Sequence, residues 1–356
     1  ALQAACGRSA QRVAGVESTE GFLHLSRYWN SLSEHYPIRR RNVDSRPGQT
    51  SRRLVIHNRL RWETDERADR PMSDDAAHSP GTALRSVLLL FVHSNLLISL
   101  SATSVAVSTT VLADLPLDPV PLFIVFAVTL FVYSFNRLTD LAEDKQNVPR
   151  RASFVERYGT ILFAVGVTLY LIATAIAIRT GIPGAPAMIV PLTVAVLYSV
   201  VGVKRILFVK NLLVGLSWGM IPLGVGVYYE RLFAVDILFV FAFITAALTI
   251  AAVVFDIKDI EGDRAEGIRT VPLVVGVRRT RQGAAAASAI LGLLVAAAVQ
   301  LGIVDWQYLL FVPFTAYMIG YSLVAEVNRT PLFYGFVIDS EHIFLAVALL
   351  CSELLV

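Results

Sequence analysis

The sequence predicts an all-α, polytopic membrane protein with about nine transmembrane helices in one bundle around a central cavity. Of its 356 residues, 55% are hydrophobic, and the mean hydropathy is +0.60. A soluble domain of this length does not need so much apolar residue. Apolar runs of roughly 17–25 residues, the length that crosses a bilayer core, recur from residue 84 onward. Because backbone groups in lipid must be paired within their own segment, these runs are expected to be helices. The predicted spans are 84–107, 119–136, 159–178, 185–202, 208–229, 235–255, 284–303, 307–325 and 341–356.

The first 83 residues differ from the rest of the chain. They are rich in arginine, serine and acidic residues and contain no long apolar run, so residues 1–83 are expected to form a mostly disordered polar extension. We favour a solvated tail over contact of its arginines with anionic lipid, and we expect no nucleic-acid partner. Met72 is a second candidate start. In one interpretation residues 1–71 are therefore an upstream extension that the natural product lacks.

Basic residues are concentrated in alternate loops. The loops after the second, fourth and sixth predicted spans hold most of the arginine and lysine, whereas the intervening loops hold only Arg179 and Arg231 beside several acidic residues. The positive-inside rule places the basic loops and the N-terminus in the cytoplasm and the C-terminus outside. All nine predicted spans fit this alternation.

Two acid-bearing motifs directly follow apolar spans on the predicted cytoplasmic side. The first, N-R-L-T-D-L-A-E-D, contains Asn136, Asp140 and Asp144. The second, D-I-K-D-I-E-G-D, contains Asp256, Asp259 and Asp263. Because residues three or four apart share one face of a helix, each set is expected to form a single stripe of oxygen ligands.

The stripes indicate a divalent metal site that binds a phosphorylated ligand. Like charges at this spacing repel one another unless a cation binds, and Mg²⁺ is usually held by one or two carboxylates together with substrate phosphates. All six motif residues are candidate ligands for two Mg²⁺ around a diphosphate, and the catalytic role is assigned to Asp140, Asp144, Asp259 and Asp263. Nearby basic residues are candidate diphosphate ligands. They are Lys145, Arg150, Lys204, Arg205, Lys258 and Arg264.

A second hypothesis from another class is a secondary transporter that uses intramembrane acidic residues. Transporters place such acids near the middle of the bilayer, whereas these acids lie at cytoplasmic helix ends beside arginine and lysine. That position suits the capture of phosphate better. For either stripe alone, a solvated helix end is a further alternative.

The same motifs resemble those of the intramembrane aromatic prenyltransferases of the UbiA type. That family's first motif reads N-D-x-x-D-x-x-x-D before an N-x-P-x-R-like element, and this chain has N-R-L-T-D-L-A-E-D before N-V-P-R-R. The family's second motif, D-x-x-D-x-x-x-D, often continues into G-D-R, and this chain has D-I-K-D-I-E-G-D-R. The segment Y-S-V-V-G-V-K-R resembles the family's linking region and adds Tyr198 and Asn211 as candidate diphosphate ligands.

The resemblance implies that residues 84–356 are a transmembrane prenyltransferase domain. It would move a prenyl group from a prenyl diphosphate to an aromatic or other lipophilic acceptor, with Mg²⁺ assisting diphosphate departure, at an active site facing the cytoplasm. Arg137 stands where the family usually has aspartate, and it is expected to contact an acid or the diphosphate. The sequence does not name the acceptor, the prenyl length or the oligomeric state. Glu341 and His342 open the last predicted span, where a helix start is favoured over a catalytic role.

Overall fold

The computed structural model describes residues 80–193 and 207–354, in which the regular structure is helical. Residues 1–79 of the predicted disordered extension, with the alternative start at Met72, lie outside these residues. Residues 80–83 were also predicted to be disordered, but they form the start of a helix. The α-helices are α1 Pro80–His93, α2 Leu96–Leu112, α3 Pro119–Thr139, α4 Leu141–Asn147, α5 Pro149–Arg179, α6 Val209–Tyr228, α7 Val235–Phe255, α8 Ile260–Glu266, α9 Val271–Val275, α10 Val277–Gln300, α11 Phe311–Val324 and α12 Glu341–Glu353. Short 3₁₀ helices cover Ala185–Met188 and Trp306–Leu310, and a π-helical turn covers Phe333–Ile338.

The all-α membrane fold predicted from the sequence is confirmed. Within the described residues, 7 helices are long and apolar enough to cross a membrane, and one bent helix pair raises the number to 8. These segments correspond to eight of the nine predicted spans. The remaining one, 185–202, extends past residue 193, where this described part of the chain ends.

The first predicted span, 84–107, is not one continuous helix. Helices α1 and α2 meet at an angle of 68°, because Asn95 between them adopts the left-handed conformation with φ 62°. Asparagine tolerates this conformation better than most residues. Its side-chain amide donates a hydrogen bond to Ser134 of α3 at 3.4 Å. Non-helical backbone at membrane depth is tolerated where protein surrounds it or where it lines a cavity, and His93 and Asn95 line a cavity.

The last predicted span also has a different start. Helix α12 begins at Glu341, as the sequence indicated, but the apolar segment starts earlier, at Phe333, and runs to Glu353. Its first part is the π-helical turn, a feature that is rare and often found at functional sites. Asp339, Glu341 and His342 therefore lie inside this span and not at its edge.

Helix α2 lies at the centre of the bundle, packed against α3, α6, α7 and α12. Several of its buried hydroxyls bond to the backbone of their own helix, as Ser99 does to the carbonyl of Asn95 at 2.8 Å, so these side chains are satisfied without water. The hydroxyls of Ser101 and Ser108 are buried without a hydrogen-bond partner. The pair α6 and α7 approaches closely at Gly215, where a Cβ would collide with Thr249 and with the carbonyl of Thr245. This is the role that small residues have in membrane helix packing.

Candidate active site

A cavity of about 280 Å³ lies among helices α1 to α8, the start of α12 and the segment that leads into it. All five aspartates of the two acid motifs line it, namely Asp140, Asp144, Asp256, Asp259 and Asp263. Helices α4 and α8, which carry the distal ends of the motifs, pack against each other. The rest of the lining includes apolar side chains such as Leu97, Ile98, Val214 and Leu248.

Each acid motif spans the junction between a long helix and a short one, and this differs from the straight stripes expected from the sequence. Helix α3 ends at Thr139 and α4 begins at Leu141, although the amide of Asp144 still donates to the carbonyl of Asp140 at 2.9 Å. Helix α7 ends at Phe255, and the amide of Lys258 donates to the carbonyl of Phe255 in a tighter i→i+3 turn. The turns redirect the chain so that the short helices can meet.

The first acid motif is held by arginine. Arg151 donates two hydrogen bonds to Asp144, from Nε to Oδ2 at 3.0 Å and from an amino nitrogen to Oδ1 at 2.6 Å. Such bidentate pairs fix the direction of a carboxylate. Burial by itself would raise the pKa of Asp144, but the adjacent charge and hydrogen bonds of Arg151 hold it below its usual value. Arg137 also approaches Asp144, at 4.0 Å, and its Nε is buried without a hydrogen-bond partner.

The second acid motif is held by lysine and asparagine. Nζ of Lys210 lies 2.8 Å from Oδ1 of Asp256 and 3.8 Å from Oδ2 of Asp263. The side-chain amide of Asn211 donates to the other oxygen of Asp256 at 3.0 Å. Lys258 pairs with Asp259 at 2.6 Å. Two lysine side chains therefore pair with three carboxylates.

Two carboxyl groups of the second motif have raised pKa values. Burial raises the pKa of Asp256 even though Lys210 and Asn211 lower it. Burial likewise raises the pKa of Asp263, to about 6, against the opposing effect of Lys210. Oδ2 of Asp263 is buried and accepts no hydrogen bond. A further cation would therefore stabilise this part of the cavity.

Comparison with known proteins identifies the family. The model of the UbiA prenyltransferase family matches residues 96–332. The chain belongs to this family. A digeranylgeranylglyceryl phosphate synthase from Natronomonas pharaonis is 36% identical over 154 residues, which are 43% of this chain and 52% of that protein. The chain thus spans about half the length of this curated relative.

Two solved structures of UbiA homologues have a similar fold. One is the apo protein from Aeropyrum pernix K1, with a TM-score of 0.55 and 17% identity over 72% of this chain and 98% of that one. The other is a protein from Archaeoglobus fulgidus bound to GPP and Mg²⁺, with a TM-score of 0.54 and 16% identity over 72% of this chain and 96% of that one. Both likenesses concern the fold alone.

The other candidate residues of this UbiA-family chain are placed less uniformly. Lys258 and Asn211 line the cavity, whereas Asn136, Lys145, Arg150 and Arg264 are not among its lining residues. Lys145 pairs with Glu156 at 2.6 Å in an exposed position. Three further candidates, Tyr198, Lys204 and Arg205, lie outside the described residues.

Four acidic or basic cavity residues were not among the sequence-predicted ligands. Arg151 follows the predicted Arg150, Lys210 precedes the predicted Asn211, and Asp339 and Glu341 lie in the last span. Arg151 and Arg150 are adjacent in the first turn of α5, and only the helix phase decides which faces inward. The signal for Asp339 was its position just before Glu341, but the predicted span began after it.

The arrangement fits Mg²⁺ bound together with a phosphorylated ligand. Within the described residues, no three acidic, histidine or cysteine side chains lie close enough to hold an ion by themselves. Instead, basic side chains pair with the carboxylates. Arg151 pairs with Asp144, Lys210 with Asp256 and Lys258 with Asp259. Mg²⁺ typically takes one or two carboxylates and completes its coordination with water and substrate phosphates. Oδ2 of Asp263, which is buried and accepts no hydrogen bond, is a suitable ligand.

Proposed function

We propose that the chain is an integral membrane prenyltransferase that moves a prenyl group from a prenyl diphosphate to a lipophilic acceptor. The observation that carries the proposal is the convergence of both acid motifs and four basic side chains on one cavity whose remaining lining is largely apolar. The basic side chains are Arg137, Arg151, Lys210 and Lys258. The similarity to a digeranylgeranylglyceryl phosphate synthase and to the fold of a protein bound to GPP and Mg²⁺ supports it.

The residues of the cavity are proposed to position the diphosphate. Mg²⁺ would be held by the aspartate carboxylates of the two motifs and would supply charge neutralisation for the leaving diphosphate. Arg151 fixes the carboxylate of Asp144, and Arg137 offers its buried Nε to a phosphate oxygen. Lys258 lies over the rings of Phe255 and Tyr334, with Nζ 5.6 Å and 5.9 Å from the ring centres, so its ammonium is held at the cavity.

Six further residues stay candidate diphosphate ligands, and Asn136 stays a candidate metal ligand. The six are Lys145, Arg150, Tyr198, Lys204, Arg205 and Arg264. The exposed members of this set would bind the terminal phosphate of the diphosphate, because a long basic side chain can reach several ångströms from its own helix.

The reaction breaks the bond between the allylic carbon and the diphosphate oxygen, and the electron pair leaves with the diphosphate. Positive charge develops on the allylic carbon, which then forms a new bond with an electron pair of the acceptor. The apolar lining around Leu97, Ile98 and Leu248 excludes water that would otherwise capture the cation. Prenylation of the acceptor thus depends on a dry cavity as much as on the charged residues.

We propose that the active site faces the cytoplasm. The exposed residues Arg264, Arg269, Arg278 and Arg279 follow the second acid motif, and positive charge is enriched in cytoplasmic loops. The opposite helix ends carry Asp118 and Asp236, which accept hydrogen bonds from tyrosines at 2.6 Å and 2.9 Å. A transporter is not favoured, because the carboxylates of both motifs lie at helix ends beside basic residues.

Turnover by purified protein in detergent tests the proposal. We expect Mg²⁺-dependent release of diphosphate from geranyl or geranylgeranyl diphosphate, and prenylated product when a panel of quinone-ring precursors, glyceryl ethers and carotenoids is supplied. Asp140→Ala and Asp259→Ala should each abolish release while the protein still inserts into membranes. Glu261→Ala is the matched control, because Glu261 lies on α8 but is exposed and does not line the cavity. Transport of a labelled solute without diphosphate release would contradict the proposal.

A further inference from the structure

Two adjacent ionisable residues line the cavity outside the two acid motifs. Glu341 and His342 are each 2% exposed, and both are among the cavity's lining residues. Oε2 of Glu341 and both ring nitrogens of His342 are buried without a hydrogen-bond partner. A buried polar atom without a partner costs free energy and calls for an explanation. Ionisable groups inside a membrane span usually have a function.

The surroundings hold the imidazole of His342 in one place. Its ring lies 5.5 Å from that of Trp218 and 5.2 Å from that of Phe314. Trp218 is itself fixed by a hydrogen bond from its indole nitrogen to the hydroxyl of Tyr133 at 3.2 Å. Nε2 of His342 lies 3.7 Å from Oε1 of Glu341. Neither ring nitrogen is used in a hydrogen bond, and histidine is the side chain that most often transfers protons in catalysis.

The pair lies next to the charged part of the cavity. Asp339, two positions before Glu341, interacts electrostatically with Arg137, Lys258 and Arg151. Glu341 interacts with Asp339 and also with the neighbouring tyrosines Tyr317 and Tyr321. The start of α12 therefore extends from the charged part of the cavity to its aromatic part.

We infer that Glu341 and His342 form the binding site for the acceptor and accept the proton that the acceptor loses on prenylation. The inference rests on the proposed prenyl transfer and adds to it the residues that receive the acceptor and its proton.

The step balances without a further reactant. The electron pair of the carbon–oxygen bond leaves with the diphosphate, and an electron pair of the acceptor forms the new bond to the allylic carbon. The acceptor's proton moves to the imidazole of His342, and the carboxyl group of Glu341 orients the ring and compensates the charge that it gains.

The test measures the amount of prenylated product per diphosphate released. The donor is geranylgeranyl diphosphate with Mg²⁺, and the acceptor is the hydroxylated aromatic or glyceryl ether that gives most product with the native protein. In Glu341→Gln and His342→Asn the ratio should fall by about 10²-fold, as for the loss of a general base, and prenyl alcohol should replace the product. Diphosphate release should stay within about threefold of native, because these residues do not hold the diphosphate. Glu341→Asp should restore part of the ratio.

Glu353→Gln is the matched control, because Glu353 also lies on α12 but is exposed and bonds to Gln307. A native ratio in both Glu341→Gln and His342→Asn would overturn the inference. So would variants that lose diphosphate release together with product, since this would show a structural role. Failure of the native protein to release diphosphate would instead refute the proposed function. Photo-cross-linking gives a second measurement on the native protein. The probe is the same acceptor carrying a photoreactive diazirine next to its hydroxyl group. Cross-links away from residues 341–342 would contradict the inference.

Discussion

Asp263 allows a quantitative prediction about metal binding. Metal ligands must be deprotonated, so a carboxyl group with a raised pKa makes metal affinity depend on pH. Burial raises the pKa of Asp263 to about 6. The contribution of this carboxylate to Mg²⁺ binding is therefore complete well above pH 6 and is lost as the pH falls through that value.

The magnitude follows from the fraction of Asp263 that is ionised. With a pKa of about 6, the ionised fraction is about 90% at pH 7 and about 10% at pH 5, so this group alone weakens metal binding by roughly tenfold, about 1.4 kcal/mol, between the two values. Asp256, whose pKa is also raised, adds to the effect in the native protein. Asp263→Asn should therefore weaken metal binding at pH 7. The change in metal affinity between pH 5 and pH 7 should be about tenfold smaller in this variant than in the native protein.

The assay is Mn²⁺ binding followed by electron paramagnetic resonance, with the protein in detergent at pH 5 and pH 7. Glu261→Gln serves as the control, because Glu261 lies on the same helix and is exposed. It should bind Mn²⁺ like the native protein at both pH values. An Asp263→Asn variant with the native affinity and the native pH dependence would refute the reasoning.

Three further predictions concern single contacts. Arg151→Lys keeps the charge but loses the bidentate geometry at Asp144, which should lower kcat/KM for the prenyl diphosphate by roughly 10-fold to 100-fold; native kinetics would contradict this. Lys258→Met removes the partner of Asp259 at 2.6 Å, so the KM for the donor should rise by about tenfold or more, and an unchanged KM would argue against its role. Gly215→Val should lower the melting temperature in detergent, because its side chain would collide with α7 at a cost of about 1–3 kcal/mol. Gly224→Ala, where a Cβ meets nothing within 4 Å, should melt like the native protein.

Hydrophobicity and motif spacing were sufficient to predict the membrane fold and the identity of the acids. The length of the apolar runs determined the helices, since each run must pair its backbone internally. The i, i+4 spacing placed Asp140 and Asp144 on the same side, and the backbone hydrogen bond between them preserves that relation. These features depend on local sequence, which is why they could be predicted.

The rest depends on contacts between distant segments. The break at Asn95 uses a hydrogen bond to Ser134, and no apolar-run pattern indicates such a bond. Lys210 and Asp256 meet across 46 positions, so their pairing follows from the packing of α6 on α7. The inward position of Arg151 follows from where α5 begins, because adjacent residues on a helix point about 100° apart.

The central claim is that the two helix ends bearing the acid motifs hold a metal-bound diphosphate between them. A structure determined with Mn²⁺ and an unreactive thio analogue of geranyl diphosphate tests it most directly. The account predicts metal density within about 2.5 Å of carboxylate oxygens from both motifs. In the first motif the ligand is Asp140 or Asp144, and in the second it lies in the α7–α8 region. The diphosphate should lie between the two motifs, with the prenyl chain against Leu97 and Leu248. Metal bound at only one motif, or a diphosphate outside the cavity, would contradict it.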